Sequence, residues 1–317
     1  MTYRAERELR DGVEIVRLEG PDGALAEVAP ALGNNCFSFR ARRPVLEPIA
    51  FDGFRRAPGS CGIPILFPFP NRIRDGRWTF EGETFTAAPA RHGFVRDKSW
   101  RVEAAGADDQ SAFVRSSLRA ADCNEAGGGA AILGQFPFPF RIEVTYTLRG
   151  SALEMETVVA NEGRREMPWG FGIHPYLRKP ARGSLKVPAT RRWELEDFLP
   201  TGRQLQVEGR YDLRAAADLD ELDLDDVFTG LESGLCVLED FDAGTATEIS
   251  FDAVDFRQVV VFTPRPPRAA ICIEPQTCPT DAFNLAARGI PGAGVWLLAP
   301  GTSERLFLKI EERLKEV

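Results

Sequence analysis

The sequence predicts an all-β protein, a large antiparallel β-sandwich, on three observations. Apolar and polar residues alternate with a period of two in short runs from one end of the chain to the other. Glycine, at 29 copies, and proline, at 23, interrupt those runs at short intervals. No stretch sustains the helical period.

The elements follow in order. Val13, Ile15, Val16 and Leu18 interleave with polar residues and read as a half-buried strand. Residues 77–86, RWTFEGETFT, set Trp78 and Phe80 before a Glu81-Gly82 pair and Phe85 after it, a hairpin with glycine at the turn. A second hairpin spans residues 141–159: Ile142, Val144, Tyr146 and Leu148 alternate, Arg149-Gly150-Ser151 turns, and Leu153, Met155 and Thr157 return. In the C-terminal third, residues 249–251, 258–262, 270–273, 295–298 and 306–310 are strand-like and separated by Gly and Pro clusters. The glycine run at 126–130 lacks the Lys-Ser/Thr of a phosphate-binding loop and reads as a surface turn. The acidic stretch 212–226 reads as a solvated loop or short helix face. Since the punctuation marks no boundary, residues 1–317 are expected to form one domain.

Composition narrows the function. With 44% hydrophobic and 27% charged residues the chain has enough apolar mass for a sizeable core. A net charge of −8 runs against nucleic-acid or anionic-membrane binding, which needs clustered Lys and Arg. A neutral or cationic small molecule, bound by a monomer or homodimer, is the expected partner. Six cysteines without a CxxC pair read as free thiols in a reducing cytoplasm. The charged N-terminus lacks a signal-peptide apolar region, and no run approaches a membrane span.

Candidates for chemistry are few. The only two histidines, His92 in Arg-His-Gly-Phe and His174 in Gly-Ile-His-Pro-Tyr, sit among glycines and aromatics. There backbone can approach a ligand closely, a ring face can cover the apolar side of a sugar, and an imidazole can exchange a proton near neutral pH. With no His or Cys at ligand spacing, no metal is expected. Glu274 follows a strand-like run and precedes Pro275, a strand-end position suited to a general base. Asn71 and Arg72 emerge from the rigid, proline-rich run 62–70; the guanidinium offers a fork for ring hydroxyls or a carboxylate. Asp225 closes the acidic stretch. Scatter on this scale suits a site assembled on one sheet face.

These residues fall into four blocks: NRIRDGRWTFEGETFTAAPARHGF at 71–94, HPYL at 174–177, DDVF at 225–228 and EPQTCPTDAFN at 274–284. In order and spacing they resemble the aldose 1-epimerases, the galactose mutarotase family, over nearly the whole chain. The resemblance implies the galactose mutarotase-like supersandwich and interconversion of the α and β anomers of a free aldose without a cofactor. It implies that Glu274 takes the anomeric hydroxyl proton and that His174 protonates the ring oxygen. His92 would hydrogen-bond that oxygen or a neighbouring hydroxyl, Arg72 and Asp225 would hold ring hydroxyls, and Asn71 would support them.

There are two departures from galactose-active members: Asp226 replaces a histidine, and Leu177 ends the His-Pro-Tyr block. Asp226 is the alternative to Asp225 as the sugar-binding carboxylate, although Asp225 aligns better with Phe228. Other readings carry their own requirements. A hexose-6-phosphate 1-epimerase needs an arginine cluster, for which Arg72, Arg74, Arg77, Arg91 and Arg96 are candidates. A non-catalytic sugar-binding protein would have lost the acid or the base, and both are present. A glycoside hydrolase would pair Asp225 with Glu274 at ~5–9.5 Å and would have no need of the two histidines.

Overall fold

The computed structural model of the chain describes residues 2–123 and 132–315. The glycine run at 126–130 lies outside the described residues. Every pairing between named strands is antiparallel, and most belong to two large sheets. The nine-stranded sheet is centred on Thr245–Phe251, Ser303–Leu314, Ala152–Asn161 and Phe140–Arg149, in that order. The eight-stranded sheet orders Leu199–Gln206, Ala189–Glu196, Asp225–Leu231, Gln258–Phe262, Ala270–Gln276, Gly172–Ile173 and Ile65–Leu66, and Tyr176–Arg178 adds to Ala270–Gln276. The N-terminal strands Arg4–Arg10, Val13–Glu19, Leu25–Ala29 and Asn35–Arg40 form a four-stranded meander.

Both hairpins form where the patterning puts them. In Phe140–Arg149 the alternating residues Ile142, Val144, Tyr146 and Leu148 are buried and stand opposite Val159, Thr157, Met155 and Leu153. Gly150 turns the chain at a φ of 57°, a left-handed conformation that glycine adopts without steric cost. Trp78 pairs with Phe85 across the Glu81-Gly82 turn.

The core lies between the two large sheets. Ile142, Val144 and Tyr146 of one share a cluster with Val259, Val261, Ile271 and Ile273 of the other, each apolar side chain contributing about 1.5–3 kcal/mol on burial. Because side chains alternate, committing Val259, Val261, Ile271 and Ile273 to the core turns Val260, Phe262, Cys272, Glu274 and Gln276 to the opposite face. That face carries the site.

The structure corrects one local reading and part of another. Glu274 does not end its strand: Ala270–Gln276 continues through Pro275, and the carboxyl is 2% exposed. Proline is tolerated because the neighbouring ladder is broken beside it, with Gly172–Ile173 and Tyr176–Arg178 as separate strands, so its missing N–H removes no bond there. The acidic stretch is the largely exposed loop with short helical turns that its charge suggests, and only its last residues depart from that reading. Asp212 and Asp218 accept hydrogen bonds from the Arg214 and Asp220 amides at the starts of short 3-10 turns, and Asp225 opens a strand of the eight-stranded sheet.

Candidate active site

The face of the eight-stranded sheet turned away from the core bears a cavity of about 350 Å³, and Asn71, Arg72, His92, His174, Asp225 and Glu274 all line it. Its volume falls in the ~300–1,000 Å³ range of small-molecule sites.

Strand register makes the central contact. Gly172 pairs with Gln276 and Tyr176 with Cys272; continuing that register across the interruption sets His174 opposite Glu274. The His174 Nε2 lies 3.1 Å from a Glu274 oxygen, and the Gln276 amide donates to the other carboxyl oxygen at 3.0 Å. His174 stacks on the Tyr176 ring at 4.6 Å, which fixes the imidazole plane. The two histidine rings meet edge to face at 5.5 Å.

His92 arrives on a different scaffold. Its amide donates to the Asn71 carbonyl at 2.6 Å, and both residues hold left-handed backbone, φ 66° and 54°. Asparagine and histidine tolerate that region better than most side chains. At Gly93 an added Cβ would come within 2.0 Å of the Phe67 carbonyl oxygen, so glycine is what allows this loop to lie against the strand Ile65–Leu66 and its continuation.

Alternation along Asp225–Leu231 separates the two adjacent aspartates. Asp225 shares a face with Val227, which packs on Val260, and it lines the cavity. Asp226 shares a face with the core residue Phe228, and its carboxylate lies 3.7 Å from Arg192. Asp225 is therefore the one that faces the cavity.

Burial dominates the electrostatics. It pushes the Glu274 carboxyl well above its usual range, the negative charge of Asp225 adds to this, and the Gln276 hydrogen bond opposes it. Burial brings His174 down to about 3, aided by the positive charges of Arg96, Arg91 and Arg268. His92 is also pushed well below the ordinary histidine value, by burial first and then by His174 and the nearby arginines. Both members of the Glu274–His174 pair are thus driven toward their neutral forms, and one proton shared between them satisfies both. Asp225 is raised by burial, with Arg72 pulling it back.

His174, Cys272 and Glu274 offer ligand atoms within 4.8 Å of one another. To hold a metal, thiol and carboxyl would both have to lose protons that burial makes them keep. The donor set is better suited to moving a proton.

Sequence reasoning missed part of the lining. Tyr176 sits within the His-Pro-Tyr-Leu block, and Arg265 and Arg268 follow the strand Gln258–Phe262 in a Pro-Arg-Pro-Pro-Arg run that reads as an ordinary loop. Of the arginines named as a possible phosphate cluster, Arg72, Arg91 and Arg96 line the cavity. Arg74 and Arg77 do not: the Arg74 amide donates to Asp281 at 3.0 Å, and the Arg77 carbonyl accepts from Asn284.

The fold resembles solved structures over its whole length. A galactose mutarotase-like protein from Clostridium acetobutylicum superposes with a TM-score of 0.84 at 21% identity, over 98% of each chain. Galactose 1-epimerase from Lactobacillus acidophilus superposes at 0.76 and 14% identity, over 98% of this chain and 97% of that one. Among sequence relatives, the uncharacterized protein YihR of Escherichia coli is 24% identical over 270 residues, 78% of this chain and 77% of its own. The aldose 1-epimerase family profile matches residues 23–309. With that match across most of its length, the chain belongs to the aldose 1-epimerase family.

Proposed function

We propose that the protein interconverts the α and β anomers of an aldose by acid and base catalysed ring opening. The observation that carries this is the buried Glu274–His174 pair, 3.1 Å apart in the wall of a sugar-sized cavity with His92 beside it.

Ring opening takes a proton from the hydroxyl on C1, delivers one to the ring oxygen, and breaks the C1–O5 bond. In the reactive form the shared proton resides on His174 and Glu274 is a carboxylate. Glu274 accepts the C1 hydroxyl proton as the C1=O bond forms, and His174 protonates O5 as it leaves. The open aldehyde rotates about C1–C2 and recloses, each group returning its proton. Charge never accumulates, because the pair holds one proton before and after each half-reaction. The raised carboxyl is a stronger base than a solvated one, which suits removal of a hydroxyl proton. His92 donates to the ring oxygen or an adjacent hydroxyl, Arg72 and Asp225 hold ring hydroxyls, and Asn71 carries the His92 backbone. Because mutarotation proceeds unaided in water, a gain of ~10²–10⁴ from each proton-transfer group is enough to make a useful enzyme.

The test is anomer exchange followed by polarimetry or proton NMR for dissolved α-aldoses, comparing wild type with Glu274→Gln and His174→Ala. Acceleration that both substitutions remove supports the reading. A folded wild type that leaves the spontaneous rate unchanged for neutral and charged aldoses alike refutes it.

A further inference from the structure

Positively charged side chains outnumber carboxyls around the cavity. Five guanidinium groups line it, those of Arg72, Arg91, Arg96, Arg265 and Arg268, against the carboxyls of Asp225 and Glu274. Burial drives Glu274 toward its neutral form, and the chain as a whole carries −8. Of the five, Arg268 is ion-paired, to Glu47; no carboxylate among the described residues pairs with Arg72, Arg91, Arg96 or Arg265. Arg96 is half-buried, its guanidinium makes one hydrogen bond among the described residues, a long one of 3.5 Å to the Gly59 carbonyl, and Arg91 crowds it with like charge. A half-buried guanidinium with one long hydrogen bond and no ion pair is poorly compensated for the hydration it loses.

The arginines are not spread evenly. Arg96 and Arg268 donate to consecutive carbonyls, of Gly59 and Ser60 at 3.5 and 2.8 Å, so both flank the same loop. The Arg268 guanidinium lies 4.5 Å over the Tyr176 ring, which also stacks on His174. From the reacting pair outward the order is Glu274, His174, Tyr176, then Arg268 and Arg96. An aldose ring has the same polarity. If Glu274 meets the hydroxyl on C1 and His174 meets O5, the next ring atom is C5, and its exocyclic carbon points past His174 toward Tyr176 and the arginines.

We infer that Arg96 and Arg268, with Arg91 and Arg265 at the rim, form an anion subsite, and that the substrate is an aldose bearing a phosphate, sulfonate or carboxylate at its C6 end. This inference rests on the proposed epimerase reading for the orientation of the sugar; the anion subsite itself rests on the arginines alone. Planar guanidinium forks suit all three oxyanions, and a cleft lined by one sign of charge concentrates a ligand of the other.

Saturation-transfer NMR on the anomeric protons compares glucose, glucose 6-phosphate, 6-deoxy-6-sulfoglucose and glucuronate, using wild type, Arg96→Gln, Arg268→Gln and Arg96→Lys. The expected result is a kcat/KM at least about 100-fold higher for one of the anionic sugars than for glucose, since a hydrogen bond to a charged group is worth roughly a factor of 10–100. Added salt shrinks that advantage. Each glutamine substitution cuts the ratio of anionic to neutral kcat/KM by about ten-fold or more, and Arg96→Lys restores part of it. The best of the three anions identifies the group.

Equal kcat/KM for glucose and every anionic sugar, or arginine substitutions that slow both kinds alike, overturns the anion subsite and leaves the epimerase standing. Should no sugar exchange faster than the blank, the epimerase reading falls, and thermal melting decides the subsite. A melting shift with glucose 6-phosphate that glucose does not give, and that Arg96→Gln abolishes, sustains it; no shift refutes it.

Discussion

Replacing Glu274 by Gln should kill the enzyme and stabilise the fold. Glutamine has the same shape, and its amide can keep partners at His174 Nε2 and the Gln276 side chain, the two contacts Glu274 makes at 3.1 and 3.0 Å. What it removes is a titrating carboxyl at a site 2% exposed. The folded-state pKa of Glu274 is raised above its unfolded value, so its contribution to stability is fully present below the unfolded pKa and is lost as pH rises through the folded pKa. Glutamine does not titrate, so the variant's advantage is absent in acid and opens as pH rises. Relief of a functional burden of this kind commonly gives about 0.5–2 kcal/mol. At ~2.1 cal/mol/K per residue, unfolding a chain of 317 residues carries roughly 0.7 kcal/mol/K, so the melting temperature should rise by about 1–3 °C. Scanning calorimetry from about pH 5 to pH 9 reads the gap, and anomer exchange on the same samples should show kcat down by ~10²–10⁴. A variant that melts below wild type at pH 9, or by a gap that does not change with pH, contradicts the claim that burial opposes the Glu274 charge.

Three further outcomes follow from the same geometry. With His174 held near 3, the pair takes up no second proton across the ordinary histidine range, so kcat/KM should not fall as pH drops from about 7 to about 5; loss of activity centred near the ordinary imidazole value would mean that a solvated histidine controls the rate. Asp225→Asn should lower kcat/KM by roughly 10–100-fold through a lost charged hydrogen bond to sugar, whereas the same change at Asp226, whose carboxylate lies 3.7 Å from Arg192, away from the cavity, should leave the steady-state constants nearly unchanged. Equal losses from the two would reverse the facing deduced from strand alternation. Gly93→Ala drives a Cβ to 2.0 Å from the Phe67 oxygen at a φ of 66° and should cost about 2–4 kcal/mol, measured as a lower urea midpoint; Gly82→Ala, also left-handed but with nothing within 4 Å, is the control at about 1 kcal/mol.

The parts of the fold written in local pattern were legible. Period-two alternation placed the hairpins around Gly82 and Gly150, because each strand there buries one face and glycine permits the turn. The six candidate residues stand in the blocks that carry the family resemblance, and all six reach one cavity. What escaped depended on long-range pairing. Pro275 reads locally as a strand end, and only the interrupted neighbouring ladder allows the strand to pass through it. Asp225 and Asp226 differ by one position, and which of them meets the ligand follows from Val227 and Phe228 taking opposite faces. Arg265 and Arg268 lie in a loop of arginines and prolines with no periodicity to mark it, and Arg268 donates to the Ser60 carbonyl, in a distant part of the chain that lines the same cavity.

The interruption that hid Glu274 is also what makes the site. A continuous strand from Gly172 to Arg178 would bond its full backbone to Ala270–Gln276; instead the pairing lapses between Gly172 and Tyr176. There the His174 amide turns to the Pro64 carbonyl at 3.0 Å while its side chain stays in register with Glu274. Proline at 175 and at 275 supplies no amide hydrogen to re-form the ladder. The sheet thus holds His174 and Glu274 on two adjacent strands, close enough to share a proton, while the flanking pairs Gly172–Gln276 and Tyr176–Cys272 anchor both backbones. Restoring an amide with Pro275→Ala tests this directly: new pairing would draw the strands together and shift the His174–Glu274 separation, lowering kcat with little change in melting temperature. Unaltered kcat in a variant of unaltered stability would show that the gap in the ladder does not set the geometry of the pair.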